Sequence, residues 1–508
     1  MINGKRSLLL LIILVLCAGS FSCDNQLKID NSEKVTEEPS PVEPPVKPPP
    51  VKPPPIEPPP VEPPPVEPPV EPPPVVLPPM SYELFKQEYM TYADEIAIMR
   101  INTADGGEIT SKTDYVNATI NIEGTQKYNR SNWAVEIRGR GNSSWWGMPK
   151  KPYRIKAVSK TSIFGQPAVK NWALIPNYSD KSLMRNYTGF MLGRSLDTMR
   201  FTANAIFVEV YFNGRYDGLY CLQDHMEAKP SRVDVEGFIT DGYGNLSDVG
   251  FLVEIDWPDR NPGDIEGRDY FELSNGLTFF LKYPKYDDDG FEDPAFYQQA
   301  FNYIRNYVTS VHNAITSRNQ TDIKDLCEWD SFIDYFLVKE LSRDVDGGQL
   351  SIFFNKKMGG RMQMGPLWDF DLAFGNSDYI PYTADYSSPE GWYIVRQSSW
   401  QQLPWFQNLM RMNDFYEDFR TRFIALSDTN IQYTIDCIDP VRELIRPAAL
   451  RNFERWDILN MYVWPNPPGV LARRIWDGQV EYIKEFWSGR NLWMYDQLYY
   501  RRSIPGVR

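Results

Sequence analysis

The chain has 508 residues, with 53 Lys and Arg against 67 Asp and Glu, for a formal net charge of −14. That acidic balance, with no run of basic residues, argues against a nucleic-acid partner and against electrostatic docking on anionic lipid. The only histidines, His225 and His312, form no Ser/His/Asp or metal-binding pattern, and the 5 cysteines show no C-x-x-C spacing, which leaves neither a zinc site nor a disulfide framework. Cys221, Cys327 and Cys437 are expected as buried thiols, with one long-range disulfide left open.

At the N-terminus Lys5 and Arg6 precede the apolar run "LLLLIILVLCA" from Leu8 to Ala18. The run falls well short of the roughly 20 residues a spanning helix needs, so residues 1–22 read as a secretory signal peptide. Cys23, behind the small Ser22, resembles the lipobox of bacterial lipoproteins, and lipidation there implies an envelope protein held on the outer membrane or cell surface. Ordinary cleavage, giving a free secreted protein, is the alternative.

Residues 23–38 are polar, and residues 39–80 are a loose repeat of prolines with Val, Ile, Lys and Glu. Proline fixes φ and removes a donor, so this stretch is expected as a polyproline II rod rather than a core. At about 3.1 Å per residue it would reach on the order of 120 Å, as a stalk or as an inert linker.

From Ser81 the composition becomes globular. "EIAIMRINT", "NATINIE", "AVEIRGRG" and "KPYRIKA" alternate apolar and polar residues, which predicts half-buried strands. "SDKSLMRNYTGFMLGRSL" predicts an amphipathic helix behind a Ser/Asp cap, and Asn213-Gly214 predicts a hairpin turn. Beyond residue 260 helical patterns dominate: "DPAFYQQAFNYIRNYVTSVHNAI", "DSFIDYFLVKELSRDV" and "QVEYIKEFWSGRNLWMYDQLYY". The expected fold is α+β, with a strand-rich lobe at 81–260, a helix-rich lobe at 261–508 and a ligand cleft between them.

Three clusters carry chemistry. In "GPLWDFDLAFGN" a strand would place Asp369 and Asp371 on one face, close enough to share a hard cation, since two buried like charges otherwise conflict. A turn cap or a surface ion pair is the alternative. "SRDVDGGQLS" adds Asp344 and Asp346, with Gly347 and Gly348 expected to turn the backbone sharply behind them. "EIRGRGNSSWWGMPKKPYRIK" gathers Arg138, Arg140, Lys150, Lys151, Arg154 and Lys156, a set suited to phosphate, or else a solvated basic strand.

These segments, with "NWALIPNYSDKSLMRNY", "VEVYFNGRYDGLYCLQDHME" and "FLVEID", resemble the spore coat protein H (CotH) kinase family from about Ala93 to Gly375. The resemblance implies a divergent, bilobal protein-kinase-like fold that transfers the γ-phosphoryl group of ATP to a protein with Mg²⁺. It places the metal-binding W-D-x-D motif on Trp368 to Asp371, with Asp369 as ligand and Asp371 as second ligand or support. The catalytic aspartate falls on Asp346, with Asp344 as the rival. Lys156 or Arg154, supported by Lys151 and Arg138, would hold the ATP phosphates, and Glu227 would lie near the nucleotide. The chain departs from the kinase pattern where a metal-binding Asn is expected: Ser351 follows Asp346 by five residues and Gln349 follows Asp344 by five. A catalytically silent surface binding protein or adhesin on the same fold, or a polysaccharide binder using the many aromatics, is the rival function.

Overall fold

The structure is a computed structural model and describes residues 96–379, 386–396 and 403–507. The signal peptide, Cys23, the polar segment and the proline-rich stretch lie outside the described residues. Among the described residues no helix is long and apolar enough to cross a membrane.

The alternating segments close into a barrel. Its strands are β1 (Ala97–Thr103), β2 (Val116–Glu123), β3 (Arg130–Gly139), β4 (Tyr153–Thr161), β5 (Val169–Ile175), β6 (Ala205–Phe212) and β7 (Arg215–Asp224), in the order β1-β2-β3-β4-β5-β7-β6. Neighbours are antiparallel except for the β1–β6 closure, which is parallel. The registers Ile101↔Ile120, Ile120↔Trp133, Ile137↔Ile155 and Ile155↔Trp172 pair apolar residues that belong to the core inside the barrel. Period-two alternation then fixes the outside: Tyr153 and Ile155 are buried, while Arg154 and Lys156 face outward. The β6–β7 hairpin turns at Asn213 (φ 47°) and Gly214 (φ 81°), a left-handed pair that Asn and Gly tolerate best.

Two helices interrupt the barrel strands: α1 (Ser143–Gly147) between β3 and β4, and α2 (Arg185–Arg194) between β5 and β6. The α2 helix departs from the amphipathic expectation, because every residue from Arg185 to Gly193 is buried. It is packed on all sides, and its polar residues are satisfied internally. Asp180 accepts from the Arg185 backbone at 2.8 Å and pairs with the Arg185 guanidinium, so the cap acts from ahead of the helix rather than at its first turn.

The second part of the chain holds β8 (Phe238–Thr240) and β9 (Leu246–Val249), a small hairpin, and then β10 (Phe251–Ile255), β11 (Tyr270–Glu272), β12 (Thr278–Tyr283), β13 (Ile352–Lys356) and β14 (Met362–Met364). The last five form one antiparallel sheet in the order β11-β12-β10-β13-β14. That sheet takes strands from both sides of residue 260, so the expected division there cuts through hydrogen-bonded neighbours.

Helices α3 (Pro294–Ser317), α4 (Gln320–Leu326), α5 (Trp329–Ser342), α6 (Trp405–Met410), α7 (Asn413–Leu426), α8 (Gln432–Asp436), α9 (Ile438–Arg455), α10 (Pro468–Leu471) and α11 (Trp476–Tyr499) complete an α+β fold. The strand-rich part comes first and the helical part second. One large apolar core joins the second sheet, α2 and the helices, and a separate core fills the barrel. Cys221, Cys327 and Cys437 are all buried.

Candidate active site

The α5 helix delivers the first acids. It ends at Ser342, Arg343 adopts a left-handed φ of 51°, and the chain turns until Ser351, also left-handed at 53°, starts β13. The backbone turns at Gly347 and Gly348 as expected, with neither glycine at a positive φ. A Cβ at Gly347 would lie 2.5 Å from Ile394 Cδ1.

Asp344 and Asp346 diverge in this turn. Asp344 is buried, its Oδ2 stands 2.5 Å from Lys339 Nζ, and its Oδ1 accepts the backbone N–H of Asp346 at 3.0 Å. Asp344 therefore positions its neighbour, and Asp346 lines the cleft. Burial, then the Asp344 and Asp369 carboxylates, push Asp346 up to about 8.

Asp369 and Asp371 lie on a turn rather than on a strand. β14 stops at Met364, Pro366 has no N–H to continue the ladder, and Asp369 has a φ of 63°, which no strand accommodates. The carboxylates still converge, because the turn brings Asp371 into hydrogen bonding with Asp369. Burial, and then the Asp369 carboxylate, hold Asp371 well above the usual carboxylate range. Two anchors fix the turn: Lys339 Nζ donates to Trp368 O at 2.7 Å, and Phe370 N–H donates to Asn186 Oδ1 at 2.8 Å. Phe370 also packs on α2, where a Cβ at Gly189 would meet its ring at 2.5 Å.

Ser351 Oγ donates to Asp369 Oδ2 at 3.3 Å, so the hydroxyl that replaces the expected amide does face the aspartate pair. Among the described residues no three His, Cys, Asp or Glu side chains form a metal cage. Two carboxylates and a hydroxyl fit Mg²⁺ nonetheless, because this ion is usually held by one or two carboxylates together with water and substrate phosphate oxygens.

Arginines form the facing wall. The pairing Arg138↔Arg154 sets these two side by side on the outer face of the barrel, and Arg140 continues the same face beyond β3. All three line a cavity of about 1100 Å³ together with Asp346, Ser351, Asp369 and Asp371. Arg138 Nε and Arg154 Nε are buried with no hydrogen-bond partner among the described residues. Burial pulls Arg140 below its ordinary value, and Asp369 opposes that shift.

The lysines of the same sequence cluster are placed elsewhere. Lys156 pairs with Glu136 at 2.8 Å, and Lys151 donates to Trp145 O at 2.6 Å. Lys150 is buried and donates to Pro176 O, Leu219 O and Asn452 Oδ1. None of the three lines the cleft.

A second chamber, of about 860 Å³, shares Arg140, Arg154, His225, Glu254 and Trp368 with the first. Glu227 lies on its wall, fixed by Arg232 at 2.7 Å and Asn171 at 2.8 Å. His225 is kept neutral, first by burial and then by Arg154, Arg140, Arg232 and Lys282 around it. Lys282 and Glu254, 2.6 Å apart, line this chamber, and Glu254 lines the first as well.

Sequence reasoning missed Lys339, His225, Arg260 and the Lys282–Glu254 pair as parts of this site. Arg140 was legible, since it falls two residues after Arg138 and shares its face. Lys339 and Asp344, five apart across a helix end, follow no side-chain spacing rule.

The fold and the cleft define an α+β protein whose main cavity opposes arginines to a group of carboxylates. The chain belongs to the CotH kinase protein family, whose profile matches residues 135–494, from within β3 to within α11. No curated protein matches the chain.

Proposed function

We propose that this protein is an ATP-dependent protein kinase that uses Mg²⁺, with a divergent kinase-like arrangement of two lobes around the cleft. The observation that carries the reading is the facing of Arg138, Arg140 and Arg154 against Asp346, Ser351, Asp369 and Asp371 across one cavity. Phosphoryl transfer needs little covalent help. It needs the phosphates clamped, their charge neutralised and the acceptor hydroxyl positioned.

Each part has a candidate. The arginines bind phosphate oxygens, and the two orphaned Nε–H groups are donors without acceptors until a phosphate arrives. Asp369 and Asp371, with the Ser351 hydroxyl beside them, would hold Mg²⁺, which when bound offsets the negative charge gathered on the phosphates. Asp346 takes the proton of the acceptor hydroxyl as its oxygen bonds to the γ-phosphorus and the bond to the leaving ADP oxygen breaks. Asp344 and Lys339 orient that carboxylate. The second chamber is the expected place for the nucleoside, with Glu227 on its wall. The acceptor is a protein of the cell envelope, reached from a lipid anchor at Cys23.

The test is the thermal shift of the full chain with Mg²⁺ and ATP, followed by transfer of labelled γ-phosphate to itself or to a casein-like acceptor. A stabilised protein and labelled product are expected, both lost in Asp369→Ala. Neither shift nor transfer would leave the silent binding protein as the better reading, consistent with Ser351 in place of the expected Asn.

A further inference from the structure

An apolar groove opens beside the arginine–carboxylate chamber and has no part in the chemistry above. It is a space of about 440 Å³ between α1 and the segment 458–464. Met461, Tyr462 and Trp464 are 56%, 54% and 45% exposed along it, and Ser143, Gly147 and Met148 line it on the α1 side. Its lining carries no charged side chain.

The display is not a fraying loop. Lys181, with its side chain buried in the fold, donates to Met461 O at 2.5 Å and Leu459 O at 3.4 Å, which ties the backbone beneath the exposed side chains. Tyr462 Oη donates to Asp378 Oδ2 at 2.8 Å, and Trp464 stacks on Tyr379 with ring centroids 5.8 Å apart and planes 2° apart. Large apolar side chains still about half exposed on an ordered backbone mark a surface built to be covered.

Size and continuity select the occupant. The groove holds one or two side chains, whereas a stable dimer buries about 800 Å² on each partner. Ser143 and Trp464 line both the groove and the chamber that contains Asp346 and Asp369, so a chain lying along the groove runs on into that chamber. We propose that the groove seats an apolar anchor of the acceptor polypeptide: an extended, locally uncharged segment whose aromatic or large aliphatic side chain packs on Met461, Tyr462 and Trp464 while a nearby hydroxyl residue reaches Asp346. The delivery of the hydroxyl rests on the phosphoryl-transfer reading; the binding of the anchor does not.

The test uses the full chain and two fluorescein-labelled peptides of Gly, Gln and Ser, identical except that one carries a single Trp where the other has Gly. Fluorescence anisotropy without nucleotide should show the Trp peptide binding about tenfold or more tightly. That preference should vanish in the double variant Met461→Ala/Tyr462→Ala and return when position 461 is Leu. Both side chains are more than half exposed, so the variants are expected to stay folded, with only the small loss of melting temperature that the Tyr462–Asp378 hydrogen bond accounts for. With Mg²⁺ and ATP, the Trp peptide should show a lower KM for phosphate transfer than its twin.

Anchor-dependent binding without any transfer upholds the groove and removes the kinase reading. Equal binding of the two peptides, or an undiminished preference in the double variant, overturns the groove. So does transfer with equal KM for both peptides, or a concentration-dependent dimer that the double variant abolishes, which would make a second copy the occupant.

Discussion

In the proposed reaction the chemistry turns on Asp346. A carboxylate whose proton is held up to about 8 is matched to accepting a proton near neutral pH. Asp346→Asn is expected to lower phosphate transfer by roughly 10²- to 10⁴-fold while the Mg²⁺–ATP thermal shift persists, read by labelled-phosphate transfer and by melting. The same elevated value gives a stability prediction for protein held in chelator. The folded state keeps the Asp346 proton up to about pH 8 while the unfolded chain releases it near pH 4, so the unfolded state binds fewer protons between those limits and stability falls as pH rises through that window. Denaturant melts should show a loss on the order of 1–3 kcal/mol that Asp346→Asn flattens.

Ser351 gives a second test at this scale. Its left-handed φ of 53° suits Asn better than Ser, so Ser351→Asn should fold at least as well as the wild type. It should also tighten the Mg²⁺ dependence of the ATP thermal shift, since an amide oxygen is a better ligand than a hydroxyl. A weaker shift would remove Ser351 from the metal site.

At the scale of elements, the site depends on the contact between α2 and the Asp369 turn. Gly189 lets Phe370 lie against the helix, and Asn186 holds the Phe370 N–H. Gly189→Val should cost about 1–3 kcal/mol by overpacking and should weaken the Mg²⁺–ATP shift, because the displaced turn carries both aspartates. Lys339 joins the ends of two other elements, the α5 terminus and the same turn. Lys339→Met leaves Asp344 buried and unpaired, and is expected to cost about 3–5 kcal/mol in a denaturant melt. Replacing Asp344 by Leu in that background should recover much of the stability without recovering transfer, which separates positioning of Asp346 from folding.

These contacts also show how far the sequence could be read. Strand periodicity found β3 and β4, and the basic cluster read along them supplied Arg138, Arg140 and Arg154, all three of which the structure puts in the cleft. The same reasoning made a strand of "LWDFDLAF", because alternation between apolar and acidic residues looks alike in a strand and in a turn whose aromatics are buried against a helix. The helix "RNYTGFMLGR" was legible as a helix but not as a fully enclosed one. Enclosure depends on α2 being packed between the barrel and the helical part, which no local pattern reports.

At the scale of the whole molecule, barrel and helical part are joined by buried polar contacts as well as by apolar packing. Lys150 and Asn452, 302 residues apart, meet at 2.9 Å, and Asn452 Oδ1 also accepts the Leu219 backbone at 3.1 Å. Asn452→Ala strips an acceptor from a buried ammonium and should cost about 1–3 kcal/mol, read as a lowered midpoint in chemical denaturation.

The sequence by itself determined the α+β class, most of the strands that close the barrel, the hairpin at Asn213-Gly214 and the family-bearing motifs, because periodicity, turn chemistry and short-range spacing are local properties of a chain. Only the tertiary structure decided which charges work together. It paired Lys156 with Glu136 and Lys150 with Asn452, buried Asp344 against Lys339, and left Asp346, Asp369 and Asp371 facing three arginines. Burial and the approach of distant segments settle whether a charge is neutralised or left free, and neither is written in the neighbours of a residue.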